Sequence, residues 1–207
     1  MTRNKKLTDI ELVAKVQGGG ADNNEGVGGV GDYEAFEELV KRYERRIYGH
    51  SLRLLGNKED AEDVLQETFL NVFRAIKNFR GDSSFSTWIY RIATNNALMK
   101  LRKSGRVEVE LDDDFPNIDP VKGRATVSYI EGPGDALIEK EVLVELDKAV
   151  KKLPEKYRTI FLLRDVEEFS TAETAEILDI TESAVKSRLH RARLSLREGL
   201  SQFRGVG

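Results

Sequence analysis

The sequence predicts an all-α protein of two small helical domains, and three observations carry that prediction. Apolar residues recur with helical period almost throughout, no long stretch alternates apolar and polar residues, and capping residues stand where the periodic runs begin and end. Thr8 is placed to cap a short first helix. Asp32 caps a second helix through YEAFEELVKRYERRIYGHSLRLL to Gly56, whose tolerance of positive φ suits a C′ position. Asn57 opens a third, KEDAEDVLQETFLNVFRAI, and a fourth is expected from near Ser86 to about Lys103. Between the first two lies GGGADNNEGVGGVG, residues 18–31, half of it glycine. No strand precedes this stretch and no Gly-Lys-Ser/Thr comes after it, so it reads as a flexible linker rather than a phosphate loop.

Beyond the fourth helix, an acidic run containing Pro116, Pro120 and Pro133 predicts an irregular tether. The expected division is therefore 1–104 for the first domain, 105–136 for the linker and 137–207 for the second domain. Helices resume with ALIEKEVLVELDKAVKKL, where Leu143, Leu146, Val150 and Leu153 form one stripe. Pro154 suits the first turn of a helix over EKYRTIFLLRD. Ser170 and Glu173 have capping-box spacing for a short helix from Thr171 to near Leu178. The turn DIT comes next, and Thr181 caps a last, basic helix.

The chain has 207 residues, 40% of them hydrophobic and 33% charged, with a net charge of −3. It contains no cysteine, which excludes disulfides and thiolate metal sites and suits a reducing compartment. Neither a signal-peptide core nor a membrane-length apolar run is present, so a soluble cytoplasmic protein is expected, without membrane insertion, resident metal or cofactor. The small net charge conceals segregation: KLRKSGR carries four bases and no acid, and VEVELDDDFPNID, immediately after it, carries six acids and no base.

The basic helix raises the sharpest question. Between Ser183 and Arg197 it holds five Lys and Arg residues, one His and no acid. On a helical projection Val185, Leu189, Ala192 and Leu196 share the core side, whereas Ser183, Ser187, His190 and Arg191 point the other way. Lys186, Arg193 and Arg197 lie on one flank and Arg188 on the other. A short helix, a tight turn and a longer helix, with Ala175 small at the expected crossing, form the unit that lays its second helix in a DNA major groove. Arg191 can pair with a guanine edge, Ser187 and His190 can donate or accept, and the flanking cations can hold phosphates. A solvated basic face is the plainer alternative for such a run in isolation.

Two further surfaces stand out. On the third helix Ala61, Val64, Leu65, Phe69, Val72 and Ile76 mark the buried side. Asp63, Glu67, Leu70 and Arg74 face away, an acidic stripe around an exposed leucine that has the makeup of a docking site. On the fourth, Trp88, Ile89, Ile92 and Met99 share one side and Arg91, Asn95 and Arg102 another, after Phe85 and the loop RGDSS. Aromatic rings beside Arg and Asn are materials for holding unstacked bases, although Trp88 fits a core equally and Arg91 and Asn95 could simply be solvated.

In order and spacing, DAEDVLQETFLNVFRAI, FRGDSSFSTWIYRIATNNALMKLRK and LPEKYRTIFLLRDVEEFSTAETAEILDITESAVKSRLHRARLSLRE resemble the extracytoplasmic-function (ECF) group of bacterial RNA polymerase sigma factors. The resemblance implies a region-2-like domain, a region-4-like helix-turn-helix domain, and a role in starting transcription. It implies core RNA polymerase as a partner, with Asp60, Asp63, Gln66, Glu67 and Leu70 docking on a coiled coil of the largest subunit. It implies that Arg80, Phe85, Trp88, Arg91, Asn95 and Arg102 serve the minus-ten element of promoter DNA. Ser183, Lys186, Ser187, Arg188, His190, Arg191 and Arg193 would serve the minus-thirty-five element. An anti-sigma factor is a further implied partner; no small-molecule substrate is.

The tether reaches far enough for this task. Elements about 17 base pairs apart are separated by roughly 58 Å, and about 30 extended residues span up to about 100 Å. Its acidity would keep it off promoter DNA and suit the polymerase's basic channel, with Asp112, Asp113 and Asp114 as the densest charge. Met99 and Asp179 depart from the residues usual in the family, and the Gly-rich insert has no assignable counterpart. A conventional helix-turn-helix repressor or activator also accounts for the C-terminal block, but leaves the acidic stripe and the Trp88 helix without a use. A pure adaptor predicts no salt-sensitive DNA binding. Catalysis is not expected, since His50 and His190 fall in different domains and no nucleophilic cysteine exists.

Overall fold

In a computed structural model the backbone is described for residues 7–18, 32–105 and 136–204, with side chains of the last segment described from 144 to 200. Eight α-helices and no strand occur among the described residues, and they fall into two compact units. The tether, with Asp112, Asp113 and Asp114, and residues 19–31 of the Gly-rich insert lie outside them.

The N-terminal unit contains α1 (Asp9–Gly18), α2 (Tyr33–Leu55), α3 (Lys58–Ala75) and α4 (Phe85–Lys103). Each start has a local chemical cause. Thr8 and Glu11 close a capping box, the Thr8 N–H donating to Glu11 Oε2 at 2.6 Å and the Glu11 N–H to Thr8 Oγ1 at 3.3 Å. Asp32 accepts from the Ala35 N–H at 2.9 Å, and Asn57 from the Asp60 N–H at 3.1 Å. Gly56 ends α2 at φ 71 with its N–H on the Leu52 carbonyl. The fourth helix begins one residue before the expected Ser86, because Ser84 accepts the Thr87 N–H and so acts as the cap. Gly18, expected to open the insert, is the last residue of α1.

Burial tracks the helical periods. Leu12, Val13 and Val16 of α1, Leu39, Ile47 and Leu54 of α2, Val64 and Val72 of α3, and Ile89, Ala93 and Ala97 of α4 make the core. Each fully buried Leu or Ile contributes roughly 1.5–3 kcal/mol relative to exposure.

Polar anchors tie α1 down at both ends. The Asp9 carboxylate accepts from the Tyr43 hydroxyl and, at 2.8 Å, from Arg42 Nη1. Gln17 Nε2 donates to the carbonyls of Ile76 and Phe79, each at 2.8 Å. Those carbonyls flank the 3₁₀ turn Ile76–Asn78 that ends α3, so α1 braces the loop leading to α4.

The C-terminal part of the chain carries α5 (Ala136–Lys152), α6 (Glu155–Phe161), α7 (Thr171–Leu178) and α8 (Glu182–Arg204). Val150 and Leu153 are buried, Leu146 is half-buried, and the side chain of Leu143 lies outside the described residues. Pro154 stands at the N-cap of α6, one position before the first turn. The helix expected over residues 155–165 changes character at Leu162 and closes through a π-helical turn, Leu162–Val166. Glu168, just beyond it, stands at φ 62. The Ser170–Glu173 capping box forms in both directions, at 2.8 and 3.2 Å. Asp179 takes the left-handed conformation at φ 54, and Thr181 Oγ1 accepts the Ala184 N–H at 3.2 Å to start α8.

Candidate nucleic-acid and polymerase interface

The outer face of α3 is open as its pattern predicts. Asp63, Gln66, Glu67 and Arg74 are exposed, and Leu70 stands among them at 54% exposure. The acids are not all unpaired. Lys100 of α4 places Nζ 2.6 Å from Asp63 and 3.4 Å from half-buried Asp60, and the hydrogen bond to Asp63 raises the lysine's pKa. One cation of the fourth helix therefore already sits at the near edge of the stripe.

On α4 the exposed side holds Arg91, Asn95 and Arg102, as expected. Arg80 is exposed in the preceding loop. Phe85 is a correction: only 2% exposed, it packs edge-on to Tyr43 at 5.3 Å and cannot offer a ring to a base. Its burial results from its place as the first residue after the Ser84 cap, turned toward α2. Met99, grouped by helical period with Trp88, Ile89 and Ile92, is 49% exposed, whereas Ile89 is fully buried. Trp88 is half-buried and leans on Phe79 at 5.0 Å and Phe85 at 5.8 Å. Phe79, also half-buried, is not singled out by sequence pattern; its one signal is an aromatic residue placed immediately before RGDSS.

The core side of α8 is as projected, with Val185, Leu189, Ala192 and Leu196 buried. Ser183, Lys186, Ser187 and Arg197 are exposed, and Arg188 and His190 are half-buried. Lys186 lies 3.7 Å from Glu182 on its own helix. Two arginines differ from expectation. Arg191, projected outward, is half-buried and reaches the Tyr157 hydroxyl at 3.5 Å, because its long stem lies along α6. Arg193, placed on a phosphate-facing flank, is held by Asp165 through two hydrogen bonds, Nε to Oδ2 at 2.9 Å and Nη2 to Oδ1 at 2.5 Å. The hydrogen bonds to that carboxylate raise its pKa further.

Comparison with known proteins gives these surfaces a common context. The family model for Sigma-70 region 2 matches residues 39–107, and that for Sigma-70 region 4 matches residues 143–196. The chain is 37% identical over 174 residues to the ECF RNA polymerase sigma factor SigW of Bacillus subtilis, covering 82% of this chain and 91% of that protein. The chain belongs to the ECF sigma factors.

Similarity to the ECF sigma-E factor of Escherichia coli extends over 189 residues at 33% identity, 91% of this sigma factor and 92% of that one. The fold resembles the sigma factor RpoE solved with the anti-sigma factor NepR from Bartonella quintana, with a TM-score of 0.60, 23% identity, and coverage of 81% and 98% of the two chains. In this sigma factor the region 2 match spans most of α2 together with α3 and α4. The region 4 match spans the second half of α5, α6, α7 and most of α8. No helix among its described residues is long and apolar enough to cross a membrane.

Proposed function

We propose that this sigma factor docks on core RNA polymerase through the outer face of α3, reads the minus-thirty-five element with α8, and captures minus-ten bases along α4. The observation that carries the reading is the pairing of two separate polar faces within one family-matched chain. Arg91 and Asn95 stand exposed on α4, and Ser183, Lys186 and Ser187 stand exposed on α8, each opposite a buried apolar stripe. Asp63, Gln66, Glu67 and Leu70 supply the polymerase contact, with half-buried Asp60 at its edge.

Physics divides the work. Duplex binding at α8 fixes register and supplies salt-dependent affinity. At α4 the protein has more partners for an extruded base than for a paired one, so it shifts the opening equilibrium toward the separated strands. Trp88, backed by Phe79 and Phe85, offers a ring supported from behind, and Asn95 offers an amide to a base edge. No covalent bond is made or broken by the sigma factor, and it acts in the cytoplasm where the polymerase works. An anti-sigma factor, the kind of partner bound in the RpoE–NepR structure, is a further expected ligand.

Reconstitution tests the reading. Core polymerase lacking any other initiation subunit is expected to start at defined genomic positions when this chain is added. Run-off products with no preferred start, at any ratio of chain to polymerase, would refute it.

A further inference from the structure

The proposed recognition helix α8 is fastened to the segment before α7 by a two-pronged ion pair. Leu162 and Leu163 are buried at the start of the π-helical turn, and the turn is closed by the Glu167 N–H on the Leu162 carbonyl at 2.9 Å. The Phe169 N–H then reaches the Leu163 carbonyl at 3.0 Å, and Arg164 Nη1 donates to the Phe169 carbonyl. A π turn carries one residue more than an α turn and so re-aims the chain beyond it. Here Asp165 is the residue that meets Arg193, 28 positions further on, with both carboxylate oxygens engaged.

The geometry has two consequences. Side-chain exposures of 35% for Arg193 and 21% for Asp165, with the Asp165 residue as a whole exposed, place the pair at the surface, where a planar fork holds orientation better than a point charge does. The carboxylate also cancels one of the five Lys and Arg charges between Ser183 and Arg197. A cation neutralised in this way releases no counterion on meeting a phosphate.

We propose that Asp165 and Arg193 are positioning residues for promoter reading. Their fork sets the rotation of α8 about its own axis, and with it the approach of Ser187, His190 and Arg191 to the base edges, and Arg193 is not itself a phosphate contact. The proposal rests on the assignment of α8 as the duplex reader.

The test uses full-length chain in holoenzyme with core polymerase, and a duplex that wild-type holoenzyme selects from a library randomised at the minus-thirty-five element. Affinity is measured against salt for this duplex and for a scrambled one. Arg193→Lys keeps the charge and loses the fork; it is expected to lower the ratio of selected to scrambled affinity roughly tenfold, with the salt slope unchanged. Asp165→Asn is expected to lower the ratio similarly while steepening the slope by about one, because it frees a cation. The double variant should discriminate no worse than the poorer single variant.

Wild-type discrimination by Arg193→Lys, with a slope shallower by about one in Arg193→Ala, would make Arg193 a phosphate contact and overturn the proposal. So would variants that melt earlier yet discriminate normally when assayed well below their melting temperature, since the pair would then serve stability alone. Failure of wild-type holoenzyme to enrich any duplex would instead sink the assignment of α8.

Discussion

His50 shows what burial does to a titratable side chain. It has no exposed surface, lies edge-on to Tyr90 at 5.3 Å, and places Nε2 3.1 Å from Thr94 Oγ1, while Nδ1 is buried without a hydrogen-bond partner. Burial, helped by the Arg53 charge, lowers its pKa from 6.5 to about 4. The unfolded chain therefore binds the extra proton first, so the contribution of His50 to stability is complete above about pH 6.5 and falls as pH drops toward 4. Between pH 7 and pH 5 the loss from this group is about 2 kcal/mol. Urea unfolding of wild type and His50→Leu at both pH values checks this: the variant should lose that part of the pH dependence. Candidate site residues differ in how readable they are. Asn95 was legible because an exposed polar position is dictated by helical period alone. Arg193 was not, because its partner lies in a different helix and only the π turn brings them together. Asn95→Ala is expected to leave duplex binding intact and slow promoter opening, tracked by permanganate reactivity of unpaired thymines, whereas Arg191→Ala weakens duplex selectivity. Equal effects of both on duplex binding would contradict the separation.

Helix starts were legible to within a residue or two, because a cap is a local event written in one side chain and the N–H two or three positions on. Thr8, Asp32, Asn57, Ser170 and Thr181 all perform as their types predict. The π turn was illegible for the opposite reason. Nothing in LLRDV breaks helical period, and the extra residue is accommodated only because Leu162, Leu163 and Phe169 must all be buried at once. Its cost shows downstream in Glu168 at φ 62, where a Cβ is disfavoured. Exposed Glu168 makes no contact that a glycine would forfeit in the core. Glu168→Gly should raise stability by about 0.5–1 kcal/mol, after allowing for the greater freedom of glycine in the unfolded chain. Thermal melting by circular dichroism checks the sign; a lower melting temperature would mean that the left-handed turn is not strained.

At the scale of the molecule, charge is arranged in blocks, and the net value of −3 predicts little about DNA binding. Between Ser183 and Arg197 the cations of α8 outside the Asp165 pair are Lys186, Arg188, Arg191 and Arg197; with Arg191 proposed for a base edge, phosphate contacts from the other three would give a log–log salt slope of roughly −3 for duplex binding through this helix. Titration of holoenzyme on the minus-thirty-five duplex from about 50 to about 200 mM salt measures it. A slope near zero would exclude phosphate neutralisation as the source of affinity. That the chain makes two bodies was legible in the sequence, because capped, periodic helical runs resume on the far side of an acidic, proline-containing stretch. The bracing of α1 was not, since Gln17 could be assigned a partner only once the end of α3 was in place. That brace has an evolutionary corollary. Because α1 takes its bearings from Asp9 and Gln17, both of which precede the glycine tract, changes in the length of that tract among descendants of this gene should leave the loop before α4 in its present shape.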